Sequence, residues 1–584
     1  MIILGMFGLG TSNGCNPSAC LLVDGKLVAM AEEERFLRFK GGWGRFPVKA
    51  TQFCLKWAGI DLSDVDYIAF GWDGTKYPWR MLPFLGKAWV RYTRFGTIRV
   101  DSDRDIYANL ALCSAAHLRH QITDTLRAAG YMGKVPPIEF IPHHVAHAAS
   151  TFYCSGFDKS AILIIDGSGE MDCTSSFTGE GLQITPHPSA HYTIPNSLGW
   201  FYAGMTEYLG FKPYNDEGKV MGLAPYGHHN DQIARKLARV ISSRDGDCRV
   251  DPTYLTLGMH TYGKYFSDRM VELCGRPRAR ESALEQIHKD TAWEVQDALE
   301  RSATAMVERL MEKTGAENLC LAGGVCMNCK MNGVLRTNSR VKNIFVQPVS
   351  SDGGTSLGAA LVLSARLGED PRFRMEHAYW GPGYSDSDIR KELDEYKAPY
   401  TRVENVEAVA AKLIADGNFV GWFQGRMEMG ARALWNRSIL ADARNPEVKD
   451  RINREVKHRE AFRPFAPSLL DEAKDRILES SSESPFMILA YHVSENTKKL
   501  IPAVVHIDGT VRPHTVKKDA NPRYWKLIKE FEALTGVPVI LNTSFNVRGE
   551  PIICAPGDAI RGFYGTGLDA LVIGDYLLTK PKKT

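Results

Sequence analysis

Short apolar runs, each closed by a cluster of glycine, aspartate or asparagine, recur along the chain and predict buried strands. Residues 2–9 form the first. Ala19–Val23 and Lys26–Met30 follow on either side of Asp24-Gly25, a dipeptide that favours a tight hairpin. The same unit returns roughly 140 residues later: Ala161–Ile165, the small-residue turn Asp166-Gly167-Ser168-Gly169, and Thr174–Thr178. Further on, Asp290–Thr314 carries apolar residues at helical spacing and stops at Gly315, which predicts a long amphipathic helix. Two more strand-to-glycine junctions follow. Asn318–Leu321 runs into Ala322-Gly323-Gly324-Val325, and Ile344–Pro348 leads to Asp352-Gly353-Gly354-Thr355 and a helix of small residues.

A strand, a small-residue turn and a returning strand occurring twice predict a duplicated α/β domain of the actin-like kind. In such a fold, turns at strand ends hold phosphates through backbone N–H groups, and glycine pairs let the backbone approach a nucleotide closely. Composition shifts near residues 367–384, through Gly368-Glu-Asp-Pro-Arg and Trp380-Gly-Pro-Gly-Tyr-Ser, so a domain boundary is expected there. The expected division is 1–370 and 371–584. In the second part, Val537–Leu541 predicts a strand followed by a polar turn, Asn542-Thr-Ser-Phe-Asn546.

With 584 residues the chain exceeds one core, and two or three domains are expected. Basic and acidic residues nearly balance, 71 against 68, which argues against nucleic acid as the main partner. No apolar run is long enough to span a membrane, and Met1–Gly10 lacks the basic start of a signal peptide. A cytoplasmic protein with reduced thiols among its 12 cysteines is the expectation. Cys326-Met-Asn-Cys329 has no second CxxC and reads as packing rather than zinc.

The stretch that carries most chemistry is Ile141-Pro-His-His-Val-Ala-His147. Pro142 presets a helical first turn, and His143 and His147 then share one helix face. Two imidazoles at this spacing suit one metal ion, with Asp352 as a candidate oxygen ligand. An ordinary amphipathic helix with core histidines reads the same way. Lys219, in the turn-rich stretch Asn215–Gly227, fits a nucleotide-contacting loop or an irregular connection. Glu32–Lys40 begins acidic and ends basic, which suits a helix dipole. Residues 85–135 yield no chemistry, and Arg91, Arg94 and Arg99 read as a solvated face. Two basic clusters stand apart: Gly425–Ser438, with Arg432 and Arg437, and Lys457–Ser468, with Arg459 and Arg463. Prolines and bulky apolar residues separate their charges, as suits arginines held around a phosphate, and Arg512 could complete that pocket. A structural ion-pair network is the competing reading.

At these residues the chain resembles the O-carbamoyltransferases of antibiotic and nodulation-factor biosynthesis. The resemblance rests on His143-His-Val-Ala-His147, Asp352-Gly-Gly-Thr355, Gly425-Arg-Met-Glu428, Lys457-x-Arg-Glu-x-Phe-Arg-Pro-Phe-Ala-Pro-Ser468 and Asn542-Thr-Ser-Phe-Asn546. It implies an actin-like (ASKHA) N-terminal domain with a metal site and a C-terminal YrdC-like α+β domain. It implies two stages: carbamoyl adenylate made from carbamoyl phosphate and ATP with Mg²⁺, then transfer of the carbamoyl group to an alcohol beside Fe²⁺ or a similar divalent metal.

Carried over, His143, His147 and Asp352 would ligate the metal, with Asp166 near it. Gly323, Gly324 and Asn328 would lie against the adenylate, with Gly167, Gly353 and Lys219 on the nucleotide side. Arg432, Lys457, Arg463, Arg512, Asn542 and Ser544 would hold carbamoyl phosphate or the phosphates of ATP, and Lys40 would reach the active site. The expected partner is a small-molecule alcohol such as a natural product, with no nucleic acid or membrane, and a homodimer fits equally. One departure concerns the first basic cluster: the family has Gly-Pro-Arg-Ala-Leu-Gly where this chain has Gly430-Ala431-Arg432-Ala-Leu-Trp435. A nucleotide switch or a sugar kinase on the same fold is the alternative.

Overall fold

The computed structural model describes residues 1–10, 16–83, 111–244, 246–255, 265–479 and 482–580; Arg91, Arg94 and Arg99 lie outside them. The chain divides into two units. One comprises Met1–Glu34 and Gly41–Met375, and the other comprises Arg35–Lys40 and Glu376–Thr584. The break falls five residues beyond the expected boundary, and a hexapeptide from near the N-terminus counts with the second unit.

The first unit contains two five-stranded sheets. In the first sheet, β1 (Ile2–Phe7) pairs antiparallel with β2 (Ser18–Val23) and β2 with β3 (Lys26–Glu32), while β4 (Tyr67–Phe70) and β5 (Ile138–Phe140) add parallel to β1. The β2–β3 hairpin turns at Asp24 and Gly25, both at positive φ (50° and 73°), as a primed turn requires. The second sheet repeats this plan. β6 (Lys159–Gly169), β7 (Asp172–Glu180) and β8 (Gln183–Thr193) are antiparallel neighbours, and a small hairpin, β9 (Ile241–Arg244) and β10 (Asp247–Val250), intervenes in the chain. β11 (Asn318–Ala322) and β12 (Asn343–Val346) then add parallel to β6. The duplicated α/β outline expected from the sequence is therefore present.

Two local expectations change. Asp166–Gly169 is not the turn between β6 and β7. The strand continues through it with a register irregularity between Ile165 and Gly169, and the chain reverses at Glu170 and Met171. The long helix starts earlier than expected, at Gln286, and ends at Thr314 on Gly315 in the left-handed conformation.

The second unit is built on an eight-stranded mixed sheet in the order β13-β22-β21-β14-β15-β20-β16-β19. Its strands are β13 (Thr401–Arg402), β14 (Val420–Phe423), β15 (Arg437–Ala441), β16 (Ala466–Leu470), β19 (His514–Val516), β20 (Val539–Ser544), β21 (Ala570–Ile573) and β22 (Tyr576–Thr579), with β17 (Tyr491–His492) and β18 (Thr510–Val511) forming a separate pair. Asn542–Ser544, expected as a turn, belongs to β20, because β15 and β16 pair with it on both sides as far as these residues. Arg437, at the start of β15, is fully buried. Its Nε donates to the Cys554 carbonyl, Nη1 to those of Gln424 and Asn436, and Nη2 to those of Pro382 and Gly425, with the guanidinium 3.7 Å from the Phe423 ring centroid. Carbonyls thus consume its donors, so it ties loops to the sheet and offers nothing to a phosphate.

The hexapeptide is fastened in the same unit. Arg35 Nη2 donates to Gly430 O at 2.6 Å, Arg38 Nη1 donates to Ile552 O at 2.7 Å, and Phe36 packs on Met427, Ala433, Ile552 and Cys554.

Arg437→Ala leaves these carbonyls buried without a donor, at a cost of about 3 kcal/mol or more. For a unit of this size the corresponding calorimetric transition is expected to fall by roughly 6–12 °C. An unchanged transition would contradict the structural role.

Candidate functional site

The helix His143–Phe152 begins directly after Pro142, which holds an extended N-cap geometry. Four-residue spacing brings His143 Nε2 and His147 Nε2 to 3.1 Å of each other. Asp166, in the irregular part of β6, places Oδ2 3.5 Å from His143 Nε2 and 3.7 Å from His147 Nε2. Asp352, in the short turn before the helix Thr355–Arg366, lies 3.7 Å from His143 Nε2. One ligand atom from each of the four lies within 4.8 Å of the others. Asp166 thus stands as near the histidines as Asp352 does, giving four candidate ligands.

The donor chemistry fits a divalent metal. His143 Nδ1 lies 2.9 Å from Gly71 O, which can only accept, so Nδ1 carries the proton and Nε2 turns a lone pair inward. Burial alone would lower the proton affinity of His143, but hydrogen bonds and charge from Asp166 and Asp352 outweigh it, and the net direction is well upward. The field that draws a proton here draws a metal cation equally. His147, pushed well down by burial and then by His143, stays neutral as a ligand must. Burial pushes the Asp166 carboxyl up, but the three neighbouring histidines overcome this and hold it well below the usual carboxylate range. Asp352 is pushed up by burial and by Asp166.

Glu170, which sequence reasoning passed over, fastens this arrangement. Its buried carboxylate accepts from the backbone N–H of His143 at 3.1 Å and of Asp73 at 2.6 Å, fixing the start of the histidine helix. It adopts φ 47°, uncommon for a non-glycine residue. The signal available in the sequence was an acid directly after Asp166-Gly-Ser-Gly.

The glycine junctions surround the same point. Gly323 has φ 96°, and a Cβ there would lie 2.3 Å from Ile165 O. Gly324 N donates to Asp166 Oδ1 at 2.9 Å. Gly353 O accepts from Ser18 Oγ, and Gly167 O from Ser197 Oγ, each at 2.7 Å. Two residues expected against the nucleotide also have partners within the unit. Asn328 caps the helix Cys329–Arg336 and exchanges hydrogen bonds with Gln296. Lys219 is buried against Asp216 at 3.1 Å. Cys326 and Cys329 are buried, with Cys326 Sγ on Ala322 O and Cys329 Sγ beside Met221 Sδ, consistent with packing.

In the second unit the other basic cluster gathers. Lys457 is buried, and its Nζ donates to Asn546 O, Asn546 Oδ1, Ser544 Oγ and Ser544 O. Arg459 donates to Asn453 Oδ1 and Pro464 O and stacks on Phe465. These partners are all neutral. Burial and then Arg459 and Arg463 push the Lys457 ammonium well down, while burial and then Arg463 and Arg512 do the same to Arg459. The buried Nε of Arg512 makes no hydrogen bond. Arg463 lies 3.9 Å from Glu460. Lys457 thus lies in the field of Arg459 and Arg463, and Arg459 in that of Arg463 and Arg512, a gathering of cations that favours an anion. Arg459, expected in this cluster from the sequence, is part of it, and Asn546 supplies two acceptors to Lys457. Lys40 is exposed, and Arg432 is half-buried on the loop after Gly430.

That loop ends at Trp435, whose φ of 95° belongs to the region glycine favours. The indole is buried and stacks on His514 at 4.1 Å between centroids and on Tyr524 at 5.8 Å. Aromatic packing therefore holds a backbone conformation that the related pattern obtains from glycine.

Family models described as Carbamoyltransferase N-terminus and Carbamoyltransferase C-terminus match residues 9–361 and 411–580. Nodulation protein NolNO of Sinorhizobium fredii is 38% identical over 591 residues, covering 96% of this chain and 78% of its own length. The 3'-hydroxymethylcephem-O-carbamoyltransferase of Amycolatopsis lactamdurans is 28% identical over 435 residues, covering 72% and 74%. Among solved structures, full-length HypF in the phosphate- and nucleotide-bound form is 12% identical, with a TM-score of 0.34 over 64% of this chain and 56% of that one.

Purified wild type is expected to hold close to one divalent metal per chain, and His147→Ala to hold about a tenth of that or less. Glu170→Ala keeps every ligand but frees the helix start, so its metal affinity should fall by roughly 10–100-fold. Chelator titration with elemental analysis measures both, and wild-type retention by His147→Ala would refute the ligand set.

Proposed function

The chain belongs to the carbamoyltransferase family, and we propose that it is an ATP-dependent O-carbamoyltransferase acting in two stages. The second unit, read as YrdC-like, forms carbamoyl adenylate. The first, read as actin-like from its duplicated sheets, passes the carbamoyl group to a hydroxyl of a small molecule. The acceptor class is supported by the name of the cephem relative. We place the reaction in the cytoplasm, where carbamoyl phosphate and ATP are made.

The observation that carries this reading is the buried Lys457 and its neighbour Arg459, both bonded to neutral partners and in the field of Arg463 and, for Arg459, Arg512. Buried cations with neutral partners are costly unless an anion completes them. A sugar kinase or a nucleotide switch built on the first unit would leave this cluster without a role. Phosphate and pyrophosphate both leave only if one water is consumed. Water cleaves carbamoyl phosphate to carbamate and phosphate, and a carbamate oxygen then displaces pyrophosphate from the α-phosphorus of ATP. Lys457 and the arginines hold the transferred phosphates and spread their charge.

In the first unit, the backbone at Gly323 and Gly324 leaves room for close approach of the adenylate. His143, His147, Asp166 and Asp352 would hold the divalent metal, which supplies Lewis acidity toward the acceptor hydroxyl. Asp166 is fixed by Gly324 N through one oxygen while the other faces the histidines. Glu170 keeps the histidine helix in register. When the hydroxyl oxygen bonds to the carbamoyl carbon, the bond from that carbon to the adenylate oxygen breaks and AMP departs.

The two stages separate by mutation. His147→Ala is expected to release pyrophosphate from ATP and carbamoyl phosphate while giving no carbamoylated acceptor. Arg512→Ala should lose both, and synthetic carbamoyl adenylate should restore transfer to Arg512→Ala alone. Mass spectrometry and a pyrophosphate assay read the outcomes, with melting curves to exclude unfolding. A folded His147→Ala that releases no pyrophosphate would break the division of labour.

A further inference from the structure

In the first unit an aromatic corner stands beside the cluster of His143, His147, Asp166 and Asp352. Tyr214 is its centre. A Cβ on Gly167, the residue after Asp166, would lie 4.0 Å from Tyr214 Cε1 and 3.3 Å from Trp200 Nε1, so both rings pass close to the strand there. The Trp43 ring meets Tyr214 at 5.9 Å between centroids and 76° between planes. The Tyr265 ring meets it at 5.5 Å and 66°. Trp43, Tyr214 and Tyr265 are all partly exposed.

The backbone is bent to present these rings. Trp43 sits in Gly41-Gly42-Trp43-Gly44, whose three glycines have φ of 82°, 55° and 64°, the left-handed region that other residues avoid. A Cβ on Gly42 would lie 2.9 Å from the Pro17 ring. Gly41 is held at both ends of its peptide unit: its N–H donates to Glu34, and its carbonyl accepts from the N–H of Asn16. Tyr214 has φ 60°, a strained conformation of the kind that persists where surroundings over-determine it. Carboxylates hold both tyrosines, Glu217 accepting from the Tyr214 N–H and Glu207 from the Tyr265 N–H. Burial, then Glu207 and Glu217, push the Tyr265 hydroxyl up to about 12, so negative charge borders the rings. Among the neighbouring cations, Lys219 is paired with Asp216 at 3.1 Å and lies over Phe211, as does Arg278, while Lys212 and Arg45 are exposed.

We propose that this corner binds a positively charged group of the acceptor, which makes the acceptor an alcohol that carries a substituted ammonium. The inference rests on the reading of the first unit as the part that passes the carbamoyl group to a hydroxyl. Rings set steeply to each other, with centroids less than 6 Å apart, let one cation attract two π systems at once. Glu207 and Glu217 are fixed by their backbone hydrogen bonds and keep their charge, which adds to that attraction. A neutral acceptor would use the rings and not the carboxylates, and an anionic one would be repelled by them. A cation held at Tyr214 lies beside Gly167, one residue along the strand from Asp166, and the hydroxyl of the same molecule is left to reach the cluster.

Choline and 3,3-dimethylbutan-1-ol provide the test, because these two alcohols share one shape and differ as N⁺ against C. The full-length protein is titrated with each at fixed ionic strength, and dissociation constants are read by ligand-observed NMR. Wild type is expected to bind choline about fivefold or more tightly than the neutral alcohol, the effect of one or two cation–π contacts. Trp43→Leu should remove most of that preference while leaving the neutral alcohol within about twofold. Glu217→Gln keeps an oxygen for the Tyr214 N–H and removes the charge, so it should weaken choline alone by about two- to threefold; it decides the matter if the leucine variant does not fold. A wild type that binds the two alcohols alike, or a preference that survives both substitutions, overturns the assignment. A choline preference in a protein that transfers no carbamoyl group from synthetic carbamoyl adenylate to either alcohol strikes the transfer reading instead, and the corner stands as a cation site.

Discussion

Charge withdrawn from water and left short of a counter-charge is the constraint around which both units are built. An isolated buried ion is far too costly to keep, so a structure that retains one has a ligand in view or shifts the group toward neutrality. The second unit shows both responses. Lys457 and Arg459 bond only carbonyls, amides and a hydroxyl, and their proton affinities are depressed by burial and by their neighbours. An arriving anion would reverse that depression, so binding and charging of the site are coupled. In the first unit the balance has the opposite sign. Two carboxylates converge on two imidazoles that cannot both be protonated, and a divalent cation held there would resolve the conflict.

The scaffold isolates these groups from ordinary structural ion pairing. Arg437 shows the contrast. It is as deeply buried as any cation among the described residues, yet carbonyls take up its donors, and it stands over an aromatic ring. It joins the loops around Pro382, Gly425 and Cys554 to β15 and has no capacity left for substrate. Lys457, by comparison, is a compact ammonium at the end of a polar strand face. Composition gives the two residues the same charge, and surroundings give them different work.

The loop from Gly430 to Trp435 shows how one geometry can be reached with different residues. A tryptophan at positive φ costs on the order of 1–3 kcal/mol and survives only where its surroundings over-determine it. Here His514, Tyr524 and Tyr379 surround the indole, while Glu428 accepts from Leu434 N and Asn542 donates to Ala433 O. The left-handed turn that glycine adopts freely is imposed by packing, and Arg432 is carried on the held loop.

Much of this protein was legible in the chain alone, because the signals are local. Strand–turn–strand spacing announced the duplicated α/β unit. The four-residue interval of His143 and His147 put two imidazoles on one helix face, and glycine pairs at strand ends marked close backbone approaches. These follow from backbone periodicity and steric freedom, which need no partner from elsewhere. What the tertiary structure alone decided is who meets whom. Asp166 joins the histidines because β6 continues through an irregular stretch instead of turning there. Glu170 anchors the helix from a hairpin 27 residues away. Asn542 is buried within the sheet because β15 and β16 pair on both sides of β20. Asn328 and Arg437 looked like ligand contacts by residue type, but neighbours distant in sequence had already engaged their polar atoms. Residue type states what a side chain can bond, and only the packed chain determines whether that capacity is still open.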